Sequence, residues 1–257
     1  MREPMNVAVL LSAGRHPVSG QPCPVPVEMQ AIGLGHALGA EMTGLHAGPA
    51  SETIADALGH GLARLVHLKI GEADDPLASL VAALGAEKPA LILAGRVGQG
   101  GEDSGLLPYA LARALGLPVV ADASALREGP EPGTLLVEQA LPKGARRRLV
   151  VRLPALVTVH PAAPAPLPFA YAARRRGVVE ERAGIASPRG ERAIEERAYR
   201  PRPKLIAKSA AGASAAERLK AATEAASGGG RVLVDPPPEE AAREILAHLR
   251  DIGVLRG

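Results

Sequence analysis

The chain is poor in aromatic side chains, with one phenylalanine, three tyrosines and no tryptophan among 257 residues. Stacking platforms for bases or sugars are thereby all but excluded, because such sites are built on successive aromatic faces. A single cysteine, Cys23, rules out a disulfide framework, a cysteine-based structural zinc and a protein-held iron–sulfur cluster. It also fits a reducing compartment. Charge of one sign is lacking too. The 30 Lys and Arg stand against 27 Asp and Glu, so a pI near 9.2 reflects a surplus of +3 and not a nucleic-acid-binding surface. The clusters Arg146-Arg147-Arg148 and Arg174-Arg175-Arg176 have no interleaved aromatics and read as solvated or partner-facing. His16, His36, His46, His60, His67, His160 and His248 share no H-x-x-x-H spacing, so no metal site is expected. No apolar run reaches the roughly 18 residues of a membrane span. The opening residues enter the short run 7–11 without a secretory h-region, and a cytoplasmic chain is the expectation.

What is present is alternation. Val7-Ala8-Val9-Leu10-Leu11, ended by Ser12-Ala13-Gly14, reads as a strand buried on both faces, for which a parallel sheet is the natural host. Helical spacing over 30–38 and a strand over 42–46 complete a β-α-β unit. A second helix is expected from residue 51 with Ser51 as its cap. A strand over 65–68, a helix over 76–84, a strand over 90–94 and a helix over 109–115 follow, the last ended by Gly116 and Pro118. Beyond Val119-Val120, the runs 135–138 and 148–153 flank Pro142-Lys143-Gly144 as a hairpin at the sheet edge, and 155–159 reads as a last central strand. From Pro161 the chain turns Pro- and Ala-rich, then charged. A short helix over 214–226, a short strand over 231–234 and an amphipathic helix over 239–252 are expected there. The division expected is an α/β domain over 1–160 and an arm over 161–257.

The segment Gly95-Arg96-Val97-Gly98-Gln99-Gly100-Gly101-Glu102-Asp103-Ser104-Gly105 joins a buried strand to a helix. In a doubly wound sheet such a loop lies beyond the carboxyl ends of the strands, where ligands bind, and its N–H groups can cradle a phosphate. It matches neither G-x-G-x-x-G nor a P-loop. The stretch Ala94-Gly95-Arg96, Asp103-Ser104-Gly105 and Ala112-Arg113-Ala114-Leu115-Gly116-Leu117-Pro118 resembles the electron transfer flavoprotein beta (small) subunits. Four further stretches are similar in the same order: the first strand, Gly48-Pro49-Ala50 before Glu52-Thr53-Ile54, residues 153–159, and Pro166-Leu167-Pro168 before Ala173-Arg174-Arg175-Arg176.

The resemblance implies a Rossmann-like three-layer α/β/α parallel sheet of adenine-nucleotide-binding type with an extended C-terminal arm. It implies a heterodimer whose alpha subunit holds most of the FAD while the beta subunit carries AMP, with electrons taken from a flavin dehydrogenase and passed to an acceptor such as a quinone oxidoreductase. No acid–base chemistry of its own is implied, and neither nucleic acid nor membrane insertion. Mapped onto this chain, the nucleotide lies against Leu10, Ala47, Gly95 and the loop Arg96, Val97, Gly98, Gln99, Gly100, Gly101, Glu102, Asp103, Ser104, Gly105, with Asp103 orienting N–H groups. Leu167, expected exposed between prolines, is implied to anchor the dehydrogenase, flanked by Arg174, Arg175 and Arg176. The chain departs from the family at Val25-Pro26-Val27-Glu28, where an Asn-Pro pair is usual, at Gly100-Gly101-Glu102 and at Leu106-Leu107-Pro108, and it lacks the aromatic usual around Arg15-His16-Pro17. These departures bear on AMP occupancy more than on fold, and suggest a divergent bacterial-type paralogue. The rival reading is an adenine-nucleotide sensor of the universal-stress type, which shares the layered sheet but has no reason to carry the long tail.

Overall fold

Unbroken apolar runs need cover on both sides, and they settle in the middle of the sheet. A computed structural model of the chain describes residues 4–16, 18–99, 103–188, 214, 233–251 and 253–255. Among them nine strands form one sheet: β1 (Asn6–Leu10), β2 (Glu41–Gly48), β3 (Arg64–Lys69), β4 (Leu91–Gly95), β5 (Val119–Glu128), β6 (Thr134–Ala140), β7 (Arg146–Arg152), β8 (Ala155–Val159) and β9 (Val178–Ala183). Their order is β7-β6-β5-β8-β4-β1-β2-β3-β9. From β5 to β9 every neighbouring pair is parallel, while β6 and β7 form the antiparallel edge that the hairpin reading expected.

The period of two along each central strand divides the interior into two cores. Val7, Val9, Leu91, Leu93, Ala155 and Val157 face α1 (Pro26–Ala37) and a 3-10 segment (Ile54–His60). Ala8, Leu10, Ile92, Ala94 and Leu156 face α2 (Pro76–Glu87) and α3 (Leu107–Leu115). The result is the expected α/β/α layering. All three helices start with proline in the first turn, where the missing N–H costs no hydrogen bond. Asp75 caps α2 by accepting from the Leu77 N–H at 2.8 Å.

Several expectations are corrected. Helix α1 begins at Pro26, ahead of the apolar spacing over 30–38, because the proline sets the first turn before the buried stripe begins. Ser51 caps no α-helix: the segment is 3-10, starts at Ile54 and has Thr53 at its cap without a side-chain hydrogen bond. The largest difference lies after residue 160. A short helix α4 (Tyr171–Arg176) leads into β9, which pairs along the whole of β3 from Arg64↔Val178 to Lys69↔Ala183. The first compact unit runs over Met1–Arg192 and takes in β9. Its edge strand was hidden in a charged stretch because Glu180, Glu181 and Arg182 sit where side chains reach water. The second unit, Ala193–Gly257, contributes α5 (Pro238–Asp251), the amphipathic helix that the sequence indicated. The helix expected over 214–226 lies outside the described residues apart from Ser214. Of the strand over 231–234 only Leu233 and Val234 are described, and neither is in a strand. No helix among the described residues is long and apolar enough to cross a membrane.

Candidate functional site

Strand β1 pairs with β2 on one side and β4 on the other, and the helices that follow β1 and β4 cover opposite faces. Such a divergence opens a crevice beyond the carboxyl ends of the strands. The structure brings Leu10, Ala47 and Gly95 to this end of three adjacent strands, together with Arg96, Val97, Gly98 and Gln99 at the start of the loop after β4 and Asp103, Ser104 and Gly105 at its end. Gly100, Gly101 and Glu102 lie outside the described residues. Arg96 extends the β4–β8 ladder, its N–H reaching Val159 O at 3.2 Å. Left-handed backbone at Asp103 (φ 50) and Gly105 (φ 69) folds the loop back, so that a Cβ on Gly105 would stand 3.0 Å from Arg96 O.

Residues that the sequence reading passed over complete the crevice. Glu28, in the first turn of α1, is only 3% exposed. Its carboxyl accepts from the Ser12 N–H at 2.8 Å and the Ser12 hydroxyl at 2.5 Å, while Ser12 Oγ accepts from the Gln99 N–H at 2.9 Å. Gln99 Oε1 in turn accepts from the Arg15 N–H at 3.2 Å. One serine thus ties α1 to the loops after β1 and β4. Burial without a cationic partner pushes the Glu28 pKa up to about 8, against the lowering effect of the Ser12 bonds. On the β5 side, the ladder shifts register between Val120 and Ala123, and Asp122 takes φ 58 there. Its N–H donates to Thr158 Oγ1 at 3.0 Å, and its Oδ1 lies 3.4 Å from Arg96 Nε in an ion pair that lacks hydrogen-bond geometry.

Behind β2, His46 and His67 face one another across the register pair with ring centroids 5.7 Å apart. His46 Nδ1–H donates to Leu11 O at 2.9 Å and His67 Nε2–H to Gly48 O at 2.9 Å, which fixes the strand ends bordering the crevice. Burial, with the neighbouring His67 as a smaller cause, lowers the His46 pKa although the bond to Leu11 O opposes this. Among the described residues no group of three or more His, Cys, Asp and Glu side chains is placed to hold a metal.

The expected docking residues cluster around the 3-10 segment. Leu167 is not exposed as expected: it is half-buried, with Cδ1 3.0 Å from where a Cβ on Gly61 (φ 110) would stand, and its carbonyl accepts from His60 Nδ1–H at 2.8 Å. Phe169 packs its ring on Gly59 and against the His60 ring at 5.4 Å, yet remains 47% exposed, and Tyr171 is 65% exposed. Arg174 is paired with Asp56 at 3.1 Å, which leaves Arg175 and Arg176 as the exposed members of the cluster.

The residue types at this end of the sheet, the N–H groups of a glycine-bearing loop and the hydroxyls of Ser12 and Ser104, are those that can hold a phosphate, and Glu28 is the one buried carboxyl among the described residues. The electron transfer flavoprotein domain family matches residues 22–186, which takes in α1, the loop after β4 and β9. A curated protein of Chromohalobacter salexigens named electron transfer flavoprotein subunit beta is 43% identical over 263 aligned residues, covering 100% of this chain and 98% of its own. These matches do not favour the nucleotide-sensor reading. The chain belongs to the electron transfer flavoprotein family, on the side of its beta, or small, subunits.

Proposed function

We propose that this electron-transfer subunit works as one half of a heterodimer with an alpha subunit that holds most of an FAD, and that it carries AMP in the crevice between β1 and β4. FAD, when bound, supplies the electron transfer; this chain binds, orients and excludes water without substrate chemistry of its own. The single observation that carries the reading is the junction of the loops after β1 and β4 at the switch point, where Ser12 joins Gln99 to Glu28. Leu10, Ala47, Gly95, Arg96–Gln99 and Asp103–Gly105 hold the nucleotide, with Asp103 setting the loop and no carboxylate on the phosphate, because two anions at close range repel. A flavin dehydrogenase docks at the Leu167 loop, and Arg175 and Arg176 steer its acidic surface, with Arg174 held by Asp56. An acceptor such as a quinone oxidoreductase is the second electron-transfer partner, and an FAD bound in the heterodimer would supply the electron chemistry between the two. The setting is the cytoplasm.

Co-expression tests this. The chain alone is expected to be colourless and poorly soluble, and with its alpha partner it gives a yellow one-to-one complex. A stable yellow monomer with stoichiometric FAD overturns the reading.

A further inference from the structure

We propose that Glu28 sets the charge selectivity of the switch-point crevice: as a neutral acid it admits the phosphate of an adenine nucleotide between the loops after β1 and β4, and as a carboxylate it turns that phosphate away. The inference rests on the nucleotide reading of this crevice and adds a residue that the reading does not use. Three observations carry it. The carboxyl is nearly sealed from water, with its Cγ 3.1 Å from where a Gly95 side chain would begin, so it stands against the last residue of β4. Among the described residues only the neutral donors of Ser12 bond it. A single hydroxyl separates it from the N–H of Gln99 in the phosphate-type loop, so any charge it acquires is felt there with little water to screen it. The ionisable groups on the surrounding elements are otherwise occupied or outward-facing. His46 on β2 is bonded to Leu11 O, and Arg96 after β4 is paired with Asp122 on β5. Arg15 and Asp103 are exposed, and Glu102 lies outside the described residues. Asp56 and His60 on the 3-10 segment are taken by Arg174 and Leu167. Among the described residues no cation therefore bonds Glu28, and burial favours the protonated form near neutral pH.

The test is equilibrium binding of AMP to the full-length chain in its purified complex, freed of nucleotide, between pH 7 and pH 9. A carboxyl titrating near pH 8 makes binding about tenfold weaker at pH 9 than at pH 7, with one proton taken up on binding at the upper end. Glu28→Gln keeps the acceptor for Ser12 without the charge, so its affinity should stay flat over that range and show no proton uptake by calorimetry in two buffers. The phosphate's own second ionisation lies near pH 6 and is common to both proteins. Where Glu28→Gln does not assemble, Ser12→Ala serves instead: losing the hydroxyl that favours the carboxylate moves the fall in affinity to higher pH. A wild type whose affinity falls no more steeply than that of Glu28→Gln, or a Glu28→Gln protein that keeps the tenfold fall, overturns the inference. So does absence of AMP binding at pH 7, and that result leaves the FAD-bearing heterodimer and its reduction by a dehydrogenase standing.

Discussion

Replacing His60 by alanine is the sharpest probe of how the docking loop is held. His60 makes two contacts with it, a hydrogen bond from Nδ1–H to Leu167 O at 2.8 Å and an edge-on ring contact with Phe169 at 5.4 Å and 61°. A net hydrogen bond contributes about 0.5–1.5 kcal/mol and an aromatic pair about 0.5–1.5 kcal/mol, so His60→Ala removes about 1–3 kcal/mol from the ordered loop. The loop keeps the Ala170 N–H bond to Gly59 O at 2.8 Å and the Arg174–Asp56 ion pair, and so stays near the segment while losing its shape. A loop no longer ordered in advance must be ordered on docking, which weakens the encounter by the same energy, roughly 5-fold to 160-fold. Steady-state reduction of the flavin by the partner dehydrogenase, at matched FAD content, should show KM rising by that factor with kcat unchanged. His60→Asn, whose amide N–H can still reach the carbonyl, should restore part of it. The reasoning fails if KM is unchanged while proteolysis shows the loop freed, or if KM and the melting temperature shift together in both variants, which would mark a role in the fold alone.

Three further outcomes follow from the same structure. Leu167→Ala, which removes about 1.5–3 kcal/mol of burial potential from the anchor, should slow electron transfer at unchanged flavin content; lost FAD would instead place Leu167 against the alpha subunit. Glu28 has a folded pKa of about 8 against an ordinary 4.5, so the native state binds the extra proton between these values and stability falls as pH rises through that window, by about 1.4 kcal/mol per pH unit from this group. Melting of Glu28→Gln should therefore match wild type near pH 4 and exceed it above pH 7, and identical curves at both would refute the burial argument. The Arg182 and Arg64 side chains hold the exposed Glu180 carboxyl down at about 2, so its contribution is present above the ordinary carboxylate range and lost as pH falls toward 2. Hydrogen exchange should show β9 loosening from β3 before the central strands at low pH, and simultaneous exchange of all strands would contradict it.

How much of this the sequence carried depends on where each residue's signal comes from. Residues 91–95 announce a central strand because every position faces a core, and the fold class follows from such runs alternating with helical spacing. Strand β9 gave no such signal: one of its edges is paired with β3, and Glu180, Arg182 and Arg64 hold one another by charge instead of by apolar burial. The glycine-rich loop after β4 stood out by composition, since glycine leaves the backbone open, and only the family resemblance made it a candidate nucleotide loop. Ser12 and Glu28 were not, because their pairing spans sixteen residues and exists only once β1, α1 and β4 converge. The one clue was a carboxylate two positions after Pro26, in the first turn of a helix that leaves a parallel strand, where an acid favours the helix dipole and is ordinarily solvated. Folding seals that first turn against Gly95 and turns a commonplace acid into the least-solvated carboxyl of the described chain, at the place where the loops after β1 and β4 meet.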